Sequence, residues 1–463
     1  MSNNSSSNSS NAKQEAKMGE LSWWQLSLIG IGCTIGIGFF LGSSLGIKHT
    51  GPSIVISFIV AAAGTYIVYN LLAKMTSEDP QEGSFCYYAD KAYGKWAGFS
   101  SGWNYWCANV LIMGSQLTAL GLLTQFWFPD IPLWIFASGY AVLAIIVVML
   151  GTKGFDRVEN LLAIIKLAAI VMFIVIALAI YFGWIRGGEA PRPQLPNAYS
   201  EWFPNGLKGL WSSLIYAFYS YGGIEVIGLM AIQLKNKEDA PKAGKVMLLI
   251  LLVIYVLSLG FAVTLAAHSA FHEKESPFVT ALANYNLDFF PHVFNAAIII
   301  AGFSTMTAAL FGVTTLLVTL AEEGDAPKMF AKKLDKFKSL PLNSLGLGVV
   351  GLLASVIAAL LLPGKIFEYI TTAAGLLLLY GWAFIIFSSY KNIELTIWSK
   401  VLSFIGLGII FIAITGTLLD STIRAGFFTS LLFVVIITIV TFIMHRKWNK
   451  PSDGGGGKKL KYS

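Results

Sequence analysis

The chain has 463 residues, of which 12% are charged, 56% hydrophobic and 14% aromatic, whereas an ordinary soluble domain is about a quarter charged. So little polar surface excludes a water-soluble globular protein of this size, and the net charge of +7 does not imply nucleic acid, because the basic residues lie between apolar runs. The three cysteines (Cys33, Cys86, Cys107) are an odd number in or beside apolar runs and imply no disulfide framework, while the five histidines (His49, His268, His272, His292, His445) sit in loops or at run ends and suggest no metal, haem or other cofactor.

Residues 1–20, rich in Ser and Asn, read as a polar cytoplasmic tail. The apolar run that follows lacks the short core and small-residue cleavage site of a signal peptide, so it reads as a retained helix. Runs of about 20 apolar residues, each able to cross ~30 Å of hydrocarbon as a helix, then recur along the chain. They cover Trp24 to Leu45, Pro52 to Ala73, Trp96 to Phe126, Pro132 to Leu150, Val158 to Tyr181, Gly206 to Leu234, Val246 to Ala267, His292 to Leu320, Ser344 to Leu362, Ile366 to Ser389, Leu402 to Leu419 and Phe427 to Ile443. The fold class is therefore all-α integral membrane with about twelve transmembrane helices. An even number of spans puts both termini on one side of the bilayer. Most of the 32 lysines and arginines fall on that side, in clusters at Lys235, Lys237 and Lys242, at Lys328, Lys332, Lys333, Lys336 and Lys338, and from Arg446 through Lys461. The positive-inside bias makes it the cytoplasm. Residues 444–463, with Gly454 to Gly457, read as a basic, disordered tail, with contact to anionic lipid as the alternative.

Two of the spans hold more glycine than a helix tolerates. Helix 1 has Gly30, Gly32, Gly36, Gly38 and Gly42 around Cys33 and Thr34, and helix 6 has Ser220, Tyr221, Gly222 and Gly223 followed by Glu225. Each glycine costs about 1 kcal/mol against alanine in a helix interior. Clusters this dense predict breaks in the hydrogen-bond ladder, tolerable in lipid only where the freed groups line a cavity or bind something. Tight helix packing would explain either cluster alone. Together, in corresponding halves of the chain, they predict a transporter of inverted repeats with its substrate near the midplane. Ionisable residues at mid-bilayer point the same way, since each costs at least about 2.5 kcal/mol there. Lys166, flanked by Ile165 and Leu167, lies too deep for easy snorkelling, and Glu225 lies just past the helix 6 break. Glu225 reads either as a proton-coupling group or as an acceptor that orders the break.

The segment Leu28 to Ser43 (LIGIGCTIGIGFFLGS) resembles the first-helix signature of amino acid permeases in the amino acid/polyamine/organocation superfamily. Gly83 to Ala89 (GSFCYYA), Gly102 to Trp106 (GWNYW), Glu159 to Lys166 (ENLLAIIK), Tyr219 to Glu225 (YSYGGIE), Asp239 to Ala243 (DAPKA), Ser276 to Val279 (SPFV) and Gly324 to Lys328 (GDAPK) extend the resemblance in order. Residues 342–463 match in hydropathy alone. The resemblance implies a ten-helix core of two inverted five-helix repeats (21–181 and 206–389) with broken helices 1 and 6, plus helices 11 and 12 over 402–443. It implies that Thr34, Ile35, Gly36, Ile37 and Gly38 hold a substrate carboxylate. Tyr219, Ser220 and Tyr221 would hold its ammonium through their carbonyls, and Ile224 would face its side chain. Lys166, with Ser304 as hydroxyl partner, would stand where sodium-coupled relatives of the fold place a cation. Gln233, Lys237, Lys74, Thr307 and Thr315 depart from the family pattern, mostly near the cytoplasmic gate.

The expected function is secondary active uptake of a neutral amino acid across the cell membrane by alternating access. The partners are the amino acid, a proton as coupling ion and the lipid bilayer. Sodium coupling, exchange, or a sensor of the same fold that binds without translocating are the alternatives. Nothing in the chain resembles a catalytic constellation.

Overall fold

In lipid every backbone N–H and C=O must find a partner inside the protein, so a spanning chain is driven to helix. The computed structural model describes residues 21–81, 83–150, 152–186, 195–332, 341–361 and 365–448, and every predicted span is helical. Helix α1 comes in three pieces, α1a (Trp23–Thr34), α1b (Ile37–Phe40) and α1c (Gly42–Thr50). There follow α2 (Ile54–Glu78), α3 (Lys95–Thr124), α4 (Leu133–Met149) and α5 (Thr152–Tyr181). Helix α6 comes in two pieces, α6a (Gly206–Ser220) and α6b (Ile224–Met230). The remainder are α7 (Ala240–Leu265), α8 (Phe289–Glu322), α9 (Leu342–Leu361), α10 (Ile366–Asn392), α11 (Ile397–Leu419) and α12 (Arg424–Trp448). The expected tail over 1–20, most of that over 444–463, and Lys333, Lys336 and Lys338 lie outside the described residues.

Several boundaries differ from the hydropathy reading. Helix α5 begins at Thr152 rather than Val158, because helix continues through the polar residues at its end, and Lys166 therefore sits about four turns from its start. Helix α12 runs on through His445, Arg446 and Lys447 to Trp448, basic residues that suit a helix C-terminus. The sixth span stops short of Leu234, closing in a 3-10 turn at Ala231–Gln233. Two short helices, Phe85–Tyr93 and Pro277–Leu282, escape a hydropathy window because neither can span. The first buries Phe85, Cys86, Tyr88 and Ala89; the second starts with a proline at a helical N1 position, where its missing N–H costs nothing.

Packing sorts the helices into two groups. α1, α2, α6 and α7 pack on one another, as do α3, α4, α8 and α9, while α5 bridges α7 and α8, and α10 runs between α3 and α2. Helix α5 shows how an interior face forms without polar contrast. Lys166, Ile170, Phe173, Ala177 and Ile180 recur at helical spacing and are buried, whereas Ile164, Val171, Val175 and Leu178 on the opposite face are exposed. Both faces are apolar because lipid replaces water outside, so Lys166 alone betrays the inward side. At the centre Phe39 of α1b stacks on Tyr255 of α7 with ring centroids 3.9 Å apart, and Phe58, Phe278, Phe294 and Phe173 extend that cluster.

Ahead of α1, Leu21 N–H donates to Gln233 C=O at 3.0 Å and Lys235 N–H to Leu21 C=O at 2.9 Å, tying the start of α1 to the end of α6. Ser27 adds a bond to the Ala243 carbonyl at 2.7 Å. α7 approaches α2 closely at Gly244, where a Cβ would fall 1.8 Å from Cε1 of Tyr69. The Tyr69 hydroxyl meanwhile donates to the Ala240 carbonyl at 2.8 Å. Gly244→Ala is expected to force the ring aside, break that bond and destabilise the fold by at least the about 1–3 kcal/mol typical of overpacking. Tyr69→Leu in the same chain should restore part of the loss. Thermal unfolding of the purified single and double variants checks this, and an unchanged midpoint for Gly244→Ala would refute the close approach.

Candidate functional site

α1a closes with Ile35 N–H on the Ile31 carbonyl at 3.0 Å, after which Ile35 (φ −71, ψ 110) and Gly36 (φ −152, ψ −164) run extended. Helix resumes when Phe39 and Phe40 N–H reach the Gly36 carbonyl at 3.0 and 3.1 Å. Ile37 and Gly38 stand at the first positions of a new helical piece, where no carbonyl one turn back accepts their N–H groups. The extended backbone at Gly36 would suit any residue. Glycine is needed for proximity, since a Cβ there would lie 2.8 Å from Cγ2 of Thr305 on α8. A second break at Leu41 separates α1b from α1c.

α6a ends as Tyr221 and Gly222 N–H fold back to the Phe218 and Tyr219 carbonyls at 3.0 and 3.1 Å. Gly223 follows at φ +109, in the left-handed region that favours glycine. The two breaks face each other. A Cβ on Gly223 would lie 3.3 Å from the Cys33 carbonyl and 3.5 Å from the Thr34 hydroxyl, and one on Gly38 2.8 Å from the Tyr219 ring. Ser220 Oγ donates to the Gly38 carbonyl at 2.8 Å. Thr34 Oγ1, at this junction, is buried and has no hydrogen-bond partner among the described residues. Of the carbonyls expected to hold an ammonium, that of Ser220 already accepts from Tyr255 at 3.1 Å, which leaves it one lone pair. Ile224 is fully buried at the start of α6b.

Lys166 is 1% exposed, so its ammonium must be partnered if charged. It donates to the Gly32 carbonyl in the last turn of α1a at 2.8 Å. Ser304, fully buried on α8, is the neighbour of the Thr305 that touches Gly36. Glu225 is tied at both oxygens. Oε2 accepts Gly223 N–H at 3.0 Å and Oε1 accepts the Trp382 indole N–H from α10. Both oxygens of Glu225 therefore accept N–H groups at the helix 6 break. Trp382 and Tyr255 carry no polar signal in their apolar helices, and only the fold reveals that they close the hydrogen bonds of helix 6. Beside the break, Glu225, Trp382, Tyr105, Asn104, Phe85 and Leu378 line a narrow cleft between α3, α6b and α10.

The amino acid permease family matches residues 25–450 of the chain. An uncharacterized transporter of Bacillus subtilis (strain 168), YcgH, is 52% identical over 438 residues, covering 95% of this chain and 98% of that one. The aromatic amino acid transport protein AroP of Escherichia coli (strain K12) is 31% identical over 371 residues, covering 79% of this chain and 80% of that one. Among solved structures, MhsT crystallised with L-phenylalanine superposes with a TM-score of 0.59 at 14% identity, covering 86% of this chain and 99% of that one. This likeness extends the inverted-repeat fold with its broken helices to the described chain.

The paired donors on Glu225 give a test of its role. Glu225→Gln keeps one acceptor but turns an amide N–H2 toward a donor, so one buried N–H loses its partner at a cost of about 1–3 kcal/mol. The expected result is a lower unfolding midpoint and weaker substrate binding, with coupling to an ion gradient retained. Loss of gradient-driven accumulation at an unchanged midpoint would instead make Glu225 a coupling group.

Proposed function

The chain belongs to the amino acid permease family and is an amino acid transporter, and from that premise we propose that it imports a neutral amino acid together with a proton. Transport proceeds by alternating access across the cell membrane, with both termini cytoplasmic. Its working parts are two five-helix repeats over 21–181 and 206–389, with helices 11 and 12 over 397–448 and cytoplasmic tails on either side.

The substrate carboxylate sits against the free N–H groups of Gly36, Ile37 and Gly38, beside the Thr34 hydroxyl, and the ammonium against the carbonyls of Tyr219, Ser220 and Tyr221. The reason is electrostatic. The start of a helical piece presents partial positive charge and the end of one partial negative charge, and the two breaks bring such ends together around one zwitterion. Cys33, Gly222 and Ile224 supply no charge at this place, which favours a neutral side chain. The AroP relatives are named for aromatic amino acid transport, so aromatic amino acids are the first substrates to assay.

The observation that carries proton coupling is the Lys166 ammonium on the Gly32 carbonyl at 2.8 Å. It is a cation built into the chain, holding α5 to the end of α1a. Losing the proton to the cytoplasm would release α1a and let the site open inward, with Ser304 the hydroxyl on α8 that helps hold the charged form. Sodium coupling would need a second cation at a place the ammonium fills.

Concentrative uptake into proteoliposomes, driven by a pH gradient without sodium, tests this reading. Wild type is expected to accumulate substrate and to lose the accumulation when a protonophore is added. Lys166→Ala should keep at most gradient-independent exchange. Accumulation by the variant under a pH gradient would remove Lys166 from coupling, and binding without any uptake by wild type would make the protein a sensor.

A further inference from the structure

In the last turn of α1c, at the end of helix 1 remote from Leu21, a histidine is enclosed by two carboxylates from distant parts of the chain. His49 is 7% exposed. Its Nδ1 lies 2.9 Å from Oδ2 of Asp420, in the connection between α11 and α12, and its Nε2 lies 3.5 Å from Oε1 of Glu368 in the first turn of α10. From α6a the Tyr216 ring stacks on the imidazole, centroids 5.7 Å apart. Asn205, ahead of α6a, donates to the His49 carbonyl at 2.9 Å. From the segment after α7, His268 Nε2 meets the Ile47 carbonyl at 3.0 Å and Glu273 pairs with Lys48 at 2.5 Å.

A neutral imidazole has one N–H and would turn a lone pair toward one of the two carboxylates. The imidazolium carries an N–H on each nitrogen, on Asp420 through Nδ1 and facing Glu368 through Nε2 at ion-pair distance without a formed hydrogen bond. Asp420 is held ready for that partner, since Thr422 donates to its other oxygen through N–H at 2.9 Å and Oγ1 at 2.8 Å. The His49 hydrogen bond keeps its carboxyl well below the usual carboxylate range, against the burial that would raise it. Glu368 also lines a cleft with Leu45, Thr118, Leu122 and Ile366, beside Glu273 and Lys274.

We propose that His49, Glu368 and Asp420 form a proton-operated latch that, when His49 is charged, ties α1c to α10 and to the α11–α12 connection and holds this end of the transporter shut. A rise in pH on this side removes the imidazolium proton, leaves two carboxylates without their shared cation, and frees α1c and α6a to swing away from α10. In the orientation proposed above this side is external, and the latch would then couple outer opening to external pH without Lys166.

The test reads closure directly. Thr118 lines the cleft and is 1% exposed, so a cysteine there reacts with a methanethiosulfonate reagent when the cleft opens. Thr118→Cys protein in lipid nanodiscs, reachable from both faces and so indifferent to orientation and to the driving ion, is labelled from about pH 6 to about pH 8.5, where imidazole changes charge. Rates are corrected for a free thiol in parallel and for the background of Cys33, Cys86 and Cys107. The latch predicts a corrected rate that rises about tenfold with pH, the equivalent of one pKa unit of coupling. In His49→Gln the rate should be fast at both ends of the range, and Asp420→Asn should reproduce that behaviour should His49→Gln fail to fold. A corrected rate independent of pH in the parent, or the same pH dependence with and without His49, would overturn the proposal.

Discussion

Everything distinctive in this molecule follows from the cost of an unpaired backbone group in lipid. An unbroken helix satisfies its own ladder; helices 1 and 6 do not, so each break must be satisfied by something beside it. The structure answers by setting the breaks against each other. Ser220 of one donates to the Gly38 carbonyl of the other, Gly223 approaches the Cys33 carbonyl, and Tyr255 takes up the Ser220 carbonyl. What is left over, the N–H groups at the start of α1b and the unpartnered Thr34 hydroxyl, is a set of donors that suits a carboxylate.

The same constraint governs the ionisable residues in the interior, and the fold handles the two differently. Glu225 is fully tied, both oxygens accepting N–H groups across helices 6 and 10, an arrangement that rewards permanence. Lys166 holds a carbonyl in the last turn of α1a, next to the break. His49 brings another titratable group to helix 1, in the last turn of α1c within reach of Glu368 and Asp420, whereas Lys166 meets the helix at its break.

Much of this was legible in the sequence because lipid imposes a coarse code. Twenty apolar residues make a span, clustered glycines mark a break, and a charge amid apolar residues marks the interior, as Lys166 did before α5 could be oriented at all. The partners were not legible. Trp382 lies more than 150 residues from the Glu225 it serves, in a helix where an indole reads as one more apolar residue. His49 looked like a helix-end histidine of no consequence, because its meaning depends on Glu368 and Asp420 arriving from α10 and the α11–α12 connection. Gly244 carried no signal beyond its being glycine, and only the Tyr69 ring against it explains the requirement.

The central claim is that the facing breaks bind both charged groups of a free amino acid. Its most direct test is the thermal stability of the purified protein with one neutral L-amino acid, found by screening, compared with the N-acetyl derivative and the methyl ester of the same amino acid. A ligand at about 100 times its Kd stabilises the folded state by about 2.7 kcal/mol, and the free amino acid should do so while both blocked forms leave the midpoint where it was. A blocked form that stabilises as well as the free amino acid would contradict the account, because one of the two helix ends would then not be holding the charge assigned to it.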